Sequence, residues 1–103
     1  MELHTFSSLS RNFLFQYKGC MDMADIAAVY FSKHAIELKR LENLDVKEVA
    51  EAFSKSGLRV FTDRCSLQEF IISNSESNTN VLMMSSGNFG GINIKEFAQE
   101  LIK

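Results

Sequence analysis

The sequence predicts an α/β domain, a three-layer Rossmann-like unit with a mostly parallel sheet. Three observations predict it. Short continuous apolar runs, Ile26 to Phe31 and Val81 to Met84, suit strands covered on both faces. Between them apolar residues recur at helical spacing. Three segments carry helix-start chemistry: Asp45-Val46-Lys47-Glu48, Ser66-Leu67-Gln68-Glu69 and Asn93-Ile94-Lys95-Glu96. Each places a short acceptor three residues before a Glu, the pattern of a capping box. Strands alternating with helices imply parallel strands joined by right-handed crossovers.

The elements follow in order. Leu3 to Thr5 reads as the tail of a strand. Leu9, Phe13, Leu14 and Tyr17 lie at helical spacing, with Ser7 or Ser8 as the cap. Ile26 to Phe31 is a buried strand, and Ser32 to Asn43 reads as a connection. Val46, Val49, Ala50 and Phe53 form the apolar face of the next helix, and Gly57 supplies a left-handed residue at its end. Leu58 to Phe61 is a strand, and Ser66 opens a helix through Phe70, Ile71 and Ile72. The polar stretch Ser73 to Asn80 favours a turn, because its short side chains compete for backbone hydrogen bonds. Val81 to Met84 is a further buried strand. Ile94, Phe97, Ala98, Leu101 and Ile102 share one face of the last helix.

Composition narrows the function classes. The 103 residues suit one domain; 46% are hydrophobic and 23% charged. The net charge of −2 leaves no basic excess to neutralise a phosphate backbone, which argues against a nucleic-acid partner. No apolar run approaches the roughly 20 residues of a membrane span. Met1-Glu2-Leu3-His4 lacks the basic and apolar regions of a signal peptide. A cytoplasmic location is expected, with Cys20 and Cys65 as reduced, half-buried thiols.

In open α/β sheets ligands bind outside the carboxyl ends of the strands. The segment Ser85-Ser86-Gly87-Asn88-Phe89-Gly90-Gly91 lies there, after a strand and before a capped helix. Its glycines allow close backbone approach, and its amides and hydroxyls suit a carboxylate or phosphate. The bland alternative is a tight turn with no ligand. His4-Thr5-Phe6-Ser7-Ser8 occupies the equivalent place after the first strand; here the bland reading is a helix cap beside an exposed His4. Lys33, His34, Lys39 and Arg40 read as a solvated connection or an anion-binding rim. Asp63 and Arg64 close a strand at the functional edge, and a turn explains them equally well. Cys65 at a helix start is a weak nucleophile candidate.

Other chemistries find no support. The spacing of Cys20, Cys65 and the two histidines is not that of a zinc site. Neither a nucleotide-phosphate loop nor a G-x-S-x-G elbow is present. No catalytic residue and no metal ligand is expected within this chain.

Leu82-Met83-Met84-Ser85-Ser86-Gly87-Asn88-Phe89-Gly90-Gly91-Ile92 resembles the final strand and loop of the murein peptide ligases, a branch of the Mur ligase family. The family pattern runs roughly Val-Met-Ser-Asn-Gly-Gly-Phe-Gly-Gly-Ile; this chain has Ser86 in place of Asn and Asn88 in place of Gly. Glu2-Leu3-His4-Thr5-Phe6-Ser7-Ser8 resembles two family segments. One is Glu-Pro-Arg-Ser-Asn-Thr. The other is Gln-Pro-His-Arg-Tyr-Thr-Arg of the UDP-N-acetylmuramate–alanine ligases; His4 matches its His and Thr5 departs from its Arg. Ala24-Asp25-Ile26 resembles the Ala-Asp strand entry of these ligases.

The resemblance implies that residues 1–103 are most of the C-terminal domain of a three-domain, ATP-dependent ligase. Such enzymes join UDP-N-acetylmuramate to L-Ala-γ-D-Glu-meso-diaminopimelate in peptidoglycan recycling. ATP and Mg2+ would be bound mainly by domains outside this chain, so the chain alone should not turn over. His4, Thr5, Ser7, Ser85, Ser86, Gly87 and Asn88 are the implied substrate-binding residues. Two alternatives remain: the corresponding domain of an L-alanine-adding ligase, and a non-catalytic α/β ligand-binding or regulatory module.

Overall fold

The computed structural model describes residues 1–102. It contains β1 (Glu2–Leu3), a 3-10 helix (Arg11–Tyr17), β2 (Ala28–Phe31), α1 (Lys33–Leu38), α2 (Val46–Phe53), β3 (Arg59–Phe61), α3 (Arg64–Asn74) and α4 (Ile94–Leu101). The three strands form one parallel sheet in the order β1-β2-β3. Glu2 pairs with Tyr30 and Leu3 with Phe31; Val29 pairs with Val60 and Tyr30 with Phe61.

The central strand faces two cores, because successive strand side chains point to opposite sides. Val29 and Phe31 join Leu14, Tyr17, Ile36, Val49 and Phe53, which come from the 3-10 helix, α1 and α2. Ala28 and Tyr30 join Leu67, Ile71, Phe89 and Phe97, brought by α3, the 85–91 loop and α4. Helices therefore cover both faces, as the α/β class requires. Phe53 and Tyr17 stack with centroids 4.9 Å apart in the first core. Along the outer edge of β3, the Arg59 guanidinium lies over Phe61 and Phe70. A cation there discourages pairing with another chain.

Several sequence expectations need correction. The first helix is a 3-10 helix that starts at Arg11, and Ser7 and Ser8 do not cap it. Instead Ser8 closes a turn on Thr5: its amide donates to Thr5 Oγ1 and its hydroxyl to the Thr5 carbonyl. Arg11 then clamps the helix to Glu42, Glu48 and the Asn43 carbonyl. Residues Ser32 to Asn43 are not merely a connection. Ser32 caps α1 by accepting from the Ala35 amide, and Ala35 and Ile36 are buried. Helix α3 begins before Ser66, because the Asp63 carboxylate accepts from both the amide and the hydroxyl of Ser66. An ionised acceptor makes the stronger cap. The left-handed residue ending α2 is Ser54; Gly57, also at positive φ, turns the chain into β3. Both cysteines are exposed, not half-buried.

The remaining difference concerns Val81 to Met84. The Glu2 amide donates to the Met84 carbonyl at 2.9 Å, so the segment lies along the free side of β1. Among the described residues it joins no strand ladder. Val81, Leu82 and Met84 are exposed. A cavity of about 710 Å³ lies between this segment and Leu67, Phe70 and Ile71 of α3. Strand preference is largely a preference for packing against neighbours, and here one face lacks them.

Two outcomes are expected. Phe53→Ala empties the best-packed part of the first core and should lower stability by about 3–5 kcal/mol, read by urea unfolding; a loss below 1 kcal/mol would contradict this packing. The Ser66 bonds hold the Asp63 carboxyl below its usual range. Its contribution is therefore complete above the ordinary carboxylate pKa and is lost as pH falls through the lower folded value. Asp63→Asn should flatten the acid side of a plot of melting temperature against pH, and an unchanged acid side would refute the cap.

Candidate functional site

The chain lays down β1, then β2, then β3 in one direction. It crosses back through α3 to place residues 81–84 on the other side of β1. Strand order reverses at β1. Loops leaving the carboxyl ends on either side of such a reversal diverge and open a crevice. Here those loops are His4 to Ser8 and Ser85 to Gly91.

The two loops are tied by a residue that the sequence reading passed over, Glu2. It is the one polar or charged residue buried among those described. Glu2 Oε1 accepts from the Ser85 hydroxyl and, at 2.9 Å, from the Phe89 amide. Glu2 Oε2 lies 3.8 Å from His4 Nδ1. A buried carboxylate needs such partners, because losing water is costly. Ser85 Oγ also accepts from the Gly87 amide at 2.7 Å, closing a tight turn. Gly87 then lies directly on the His4 imidazole: a Cβ there would sit 2.6 Å from His4 Cγ.

Phe89 anchors the far side of the loop. It adopts a left-handed conformation, φ 52°, which costs an L-residue about 1–2 kcal/mol. Its buried ring beside Tyr30 and its amide on Glu2 offset that cost. Asn88 turns the chain, accepting from the Gly91 amide through its side chain and from Gly91 and Ile92 through its carbonyl. Gly90, at φ 69°, crosses over the Tyr30 hydroxyl, where a Cβ would stand 2.4 Å from that oxygen. Arg64, on the first turn of α3, donates to the Gly90 carbonyl at 3.0 Å.

The structure thus brings together His4, Ser85 and Gly87 of the residues proposed from sequence. Asn88 shapes the loop, and Ser86 is exposed on it. Thr5 serves the turn to Ser8, and Ser7 lines a separate shallow recess with Phe6 and Phe13. Much of the loop's hydrogen-bonding capacity is consumed internally: the amides of Gly87, Phe89 and Gly91 are held by Ser85, Glu2 and Asn88. Among the described residues, the amides of Ser86, Asn88 and Gly90 have no partner within the protein. Glu2, Tyr30, Arg64 and Phe89 were missed as site residues. An acidic residue inside a short apolar strand was the available signal for Glu2, since it must find donors once buried. For Arg64 the signal was its place at the carboxyl edge of a strand, which a turn explained equally well; Tyr30 carried none.

Chemically, the loop cluster offers donors: the His4 imidazole, the Arg64 guanidinium, free loop amides and short polar side chains. Burial, with the Glu2 and Asp63 carboxylates nearby, holds the Tyr30 phenol above its usual range, so it remains a protonated donor. Ser85 is engaged by Glu2 and Gly87 and is not free as a nucleophile. Lys33, His34 and Arg40 are exposed on or after α1, and no bond ties them to the 85–91 loop. Among the described residues no group of three His, Cys, Asp or Glu side chains could hold a metal ion. None of their helices is long and apolar enough to cross a membrane.

Fold and site define an α/β domain with a donor-bearing loop cluster at a reversal of strand order. No protein-family model, curated protein or solved structure matches the chain.

Removing the Glu2 carboxylate tests the tie between the loops. Glu2→Ala leaves the Ser85 hydroxyl and Phe89 amide without their acceptor and should cost about 2–4 kcal/mol. Hydrogen exchange at the Phe89 amide should accelerate more than at Val29; equal acceleration at both would show that the tie is not local.

Proposed function

We propose that this chain is a Rossmann-like, peptide-binding C-terminal domain of a Mur-type ligase, of the kind that joins UDP-N-acetylmuramate to L-Ala-γ-D-Glu-meso-diaminopimelate. The observation that carries the reading is the meeting of His4 with the 85–91 loop at the reversal point, joined through Glu2. They belong to two of the three segments with the family resemblance, and they are 81 positions apart at their starts (85 − 4).

The chemistry agrees with that role. A peptide presents carboxylates, which need several fixed donors. The loop cluster supplies them on a backbone held by Glu2, so little ordering is required on binding. Amide-bond formation from an activated carboxyl depends on positioning and charge stabilisation, which a closing domain supplies without a nucleophile of its own. His4, Ser86 and the free loop amides hold and orient the peptide; Ser85, Gly87 and Asn88 keep the loop in shape.

The residues do not fit ATP or Mg2+. No phosphate loop with its lysine is present in the sequence, and among the described residues no carboxylate cluster stands ready for the metal. In this reading both belong to other domains of the same protein, and the chain alone does not turn over. The proposed location is cytoplasmic.

The test is an NMR titration of the labelled chain with L-Ala-γ-D-Glu-meso-diaminopimelate, with L-alanine as control. Saturable shifts at His4 and Ser85 to Gly91 with the tripeptide alone are expected. Shifts with L-alanine of equal strength would favour an alanine-adding relative. Silence at millimolar tripeptide would refute the peptide-binding role.

A further inference from the structure

The Tyr30 side chain is more than nine-tenths buried, yet its hydroxyl has no hydrogen-bond partner among the described residues. It is not sealed in, because no fully buried side-chain oxygen lacks a partner. A buried polar group normally finds a partner inside the protein, and each exception calls for a reason. The hydroxyl lies directly beneath Gly90, the position where a side chain would block it. Beside it stands Arg64, whose Nη1 is 3.0 Å from the Gly90 carbonyl. Among the described residues Arg64 has no carboxylate partner. Neighbouring Asp63 is turned to Ser66 instead. An unpaired hydroxyl and a guanidinium with no carboxylate partner thus meet at one glycine pair, Gly90-Gly91.

We infer that the Tyr30 hydroxyl and the Arg64 guanidinium form a carboxylate-binding subsite, roofed by Gly90 and Gly91. The assignment deepens the peptide-binding reading and rests on it for the natural ligand, but the subsite can be tested without the tripeptide. A carboxylate fits better than a phosphate. Tyr30 lies within the fields of the Glu2 and Asp63 carboxylates as well as of Arg64. A carboxylate places a single negative charge beside Arg64, whereas a phosphate dianion concentrates two on one group, against the Glu2 and Asp63 carboxylates. Glycine at positions 90 and 91 serves the same end. Both have positive φ, and a Cβ at either would press on Tyr30 or Arg64.

The experiment uses glutarate as the carboxylate probe, followed by NMR on the labelled chain, with inorganic phosphate as a second arm. Glutarate should shift the Gly90 and Gly91 amides saturably, with a millimolar Kd. Tyr30→Phe keeps the ring in the core and should weaken glutarate binding about 3- to 10-fold. Arg64→Gln should weaken it at least about 10-fold. Lys47→Gln, on the other face of the domain, controls for the lost charge and should change nothing. No saturable glutarate shift in the wild-type chain overturns the subsite. Unchanged binding by well-folded Tyr30→Phe removes Tyr30 from it. Phosphate binding as tight as glutarate overturns the carboxylate assignment. If glutarate binds as described but the tripeptide binds no more tightly, the subsite stands and the peptide-ligase reading falls.

Discussion

Glu2 sits in a two-residue strand with its carboxylate withdrawn from water, and the arrangement of the site depends on that one withdrawn charge. An ionised carboxylate in such a place must be met by donors. The donors come from residues 83 and 87 positions away, the Ser85 hydroxyl and the Phe89 amide. Satisfying Glu2 therefore brings the end of the chain to its beginning. It also holds Phe89 in a left-handed turn, which lets Asn88 fold the loop and lets Gly90 pass over Tyr30. His4, at the open side of the same carboxylate, lies under Gly87 for the same reason.

The two faces of the sheet differ in how completely they are filled. On the first face, the 3-10 helix, α1 and α2 pack Phe53, Val49, Leu9 and Leu44 to full burial. Arg11 adds a surface clamp that joins the 3-10 helix to the start of α2. On the second face α3 and α4 bury fewer side chains, and a cavity remains beside residues 81–84. The loop at the carboxyl edge is thus held less by apolar packing than by Glu2 and by the ring of Phe89. A loop fixed by a few polar links on a firm scaffold is where binding chemistry commonly resides.

Much of the fold was legible because it follows from short-range rules. The capping box at Asp45 is present as read, with Glu48 returning to the Asp45 amide. Asn93 caps the last helix, and Phe97 anchors that helix in the second core. Where two acceptors competed, spacing alone misled: Asp63 captured the start that Ser66 seemed to mark. Helix α1 was missed because six residues carry too little periodicity to register. In the site, the glycine-rich loop after residues 81–84 was recognisable by composition, and so was its neighbour at His4. Tyr30 was not: in sequence it is one apolar residue within a buried run, and nothing local shows that its hydroxyl reaches Gly90.

The sequence by itself determined the alternation of strand and helix, the helix caps and the candidate loops. These rest on interactions among residues a few positions apart, which any chain segment carries with it. Only the tertiary structure decided which side of β1 receives residues 81–84, which amides Glu2 consumes, and that Tyr30 and Arg64 meet at Gly90. Those outcomes join residues from 26 to 87 positions apart. They depend on where the crossovers place each strand end and on the cost of leaving a buried charge unpaired, neither of which spacing along the chain records.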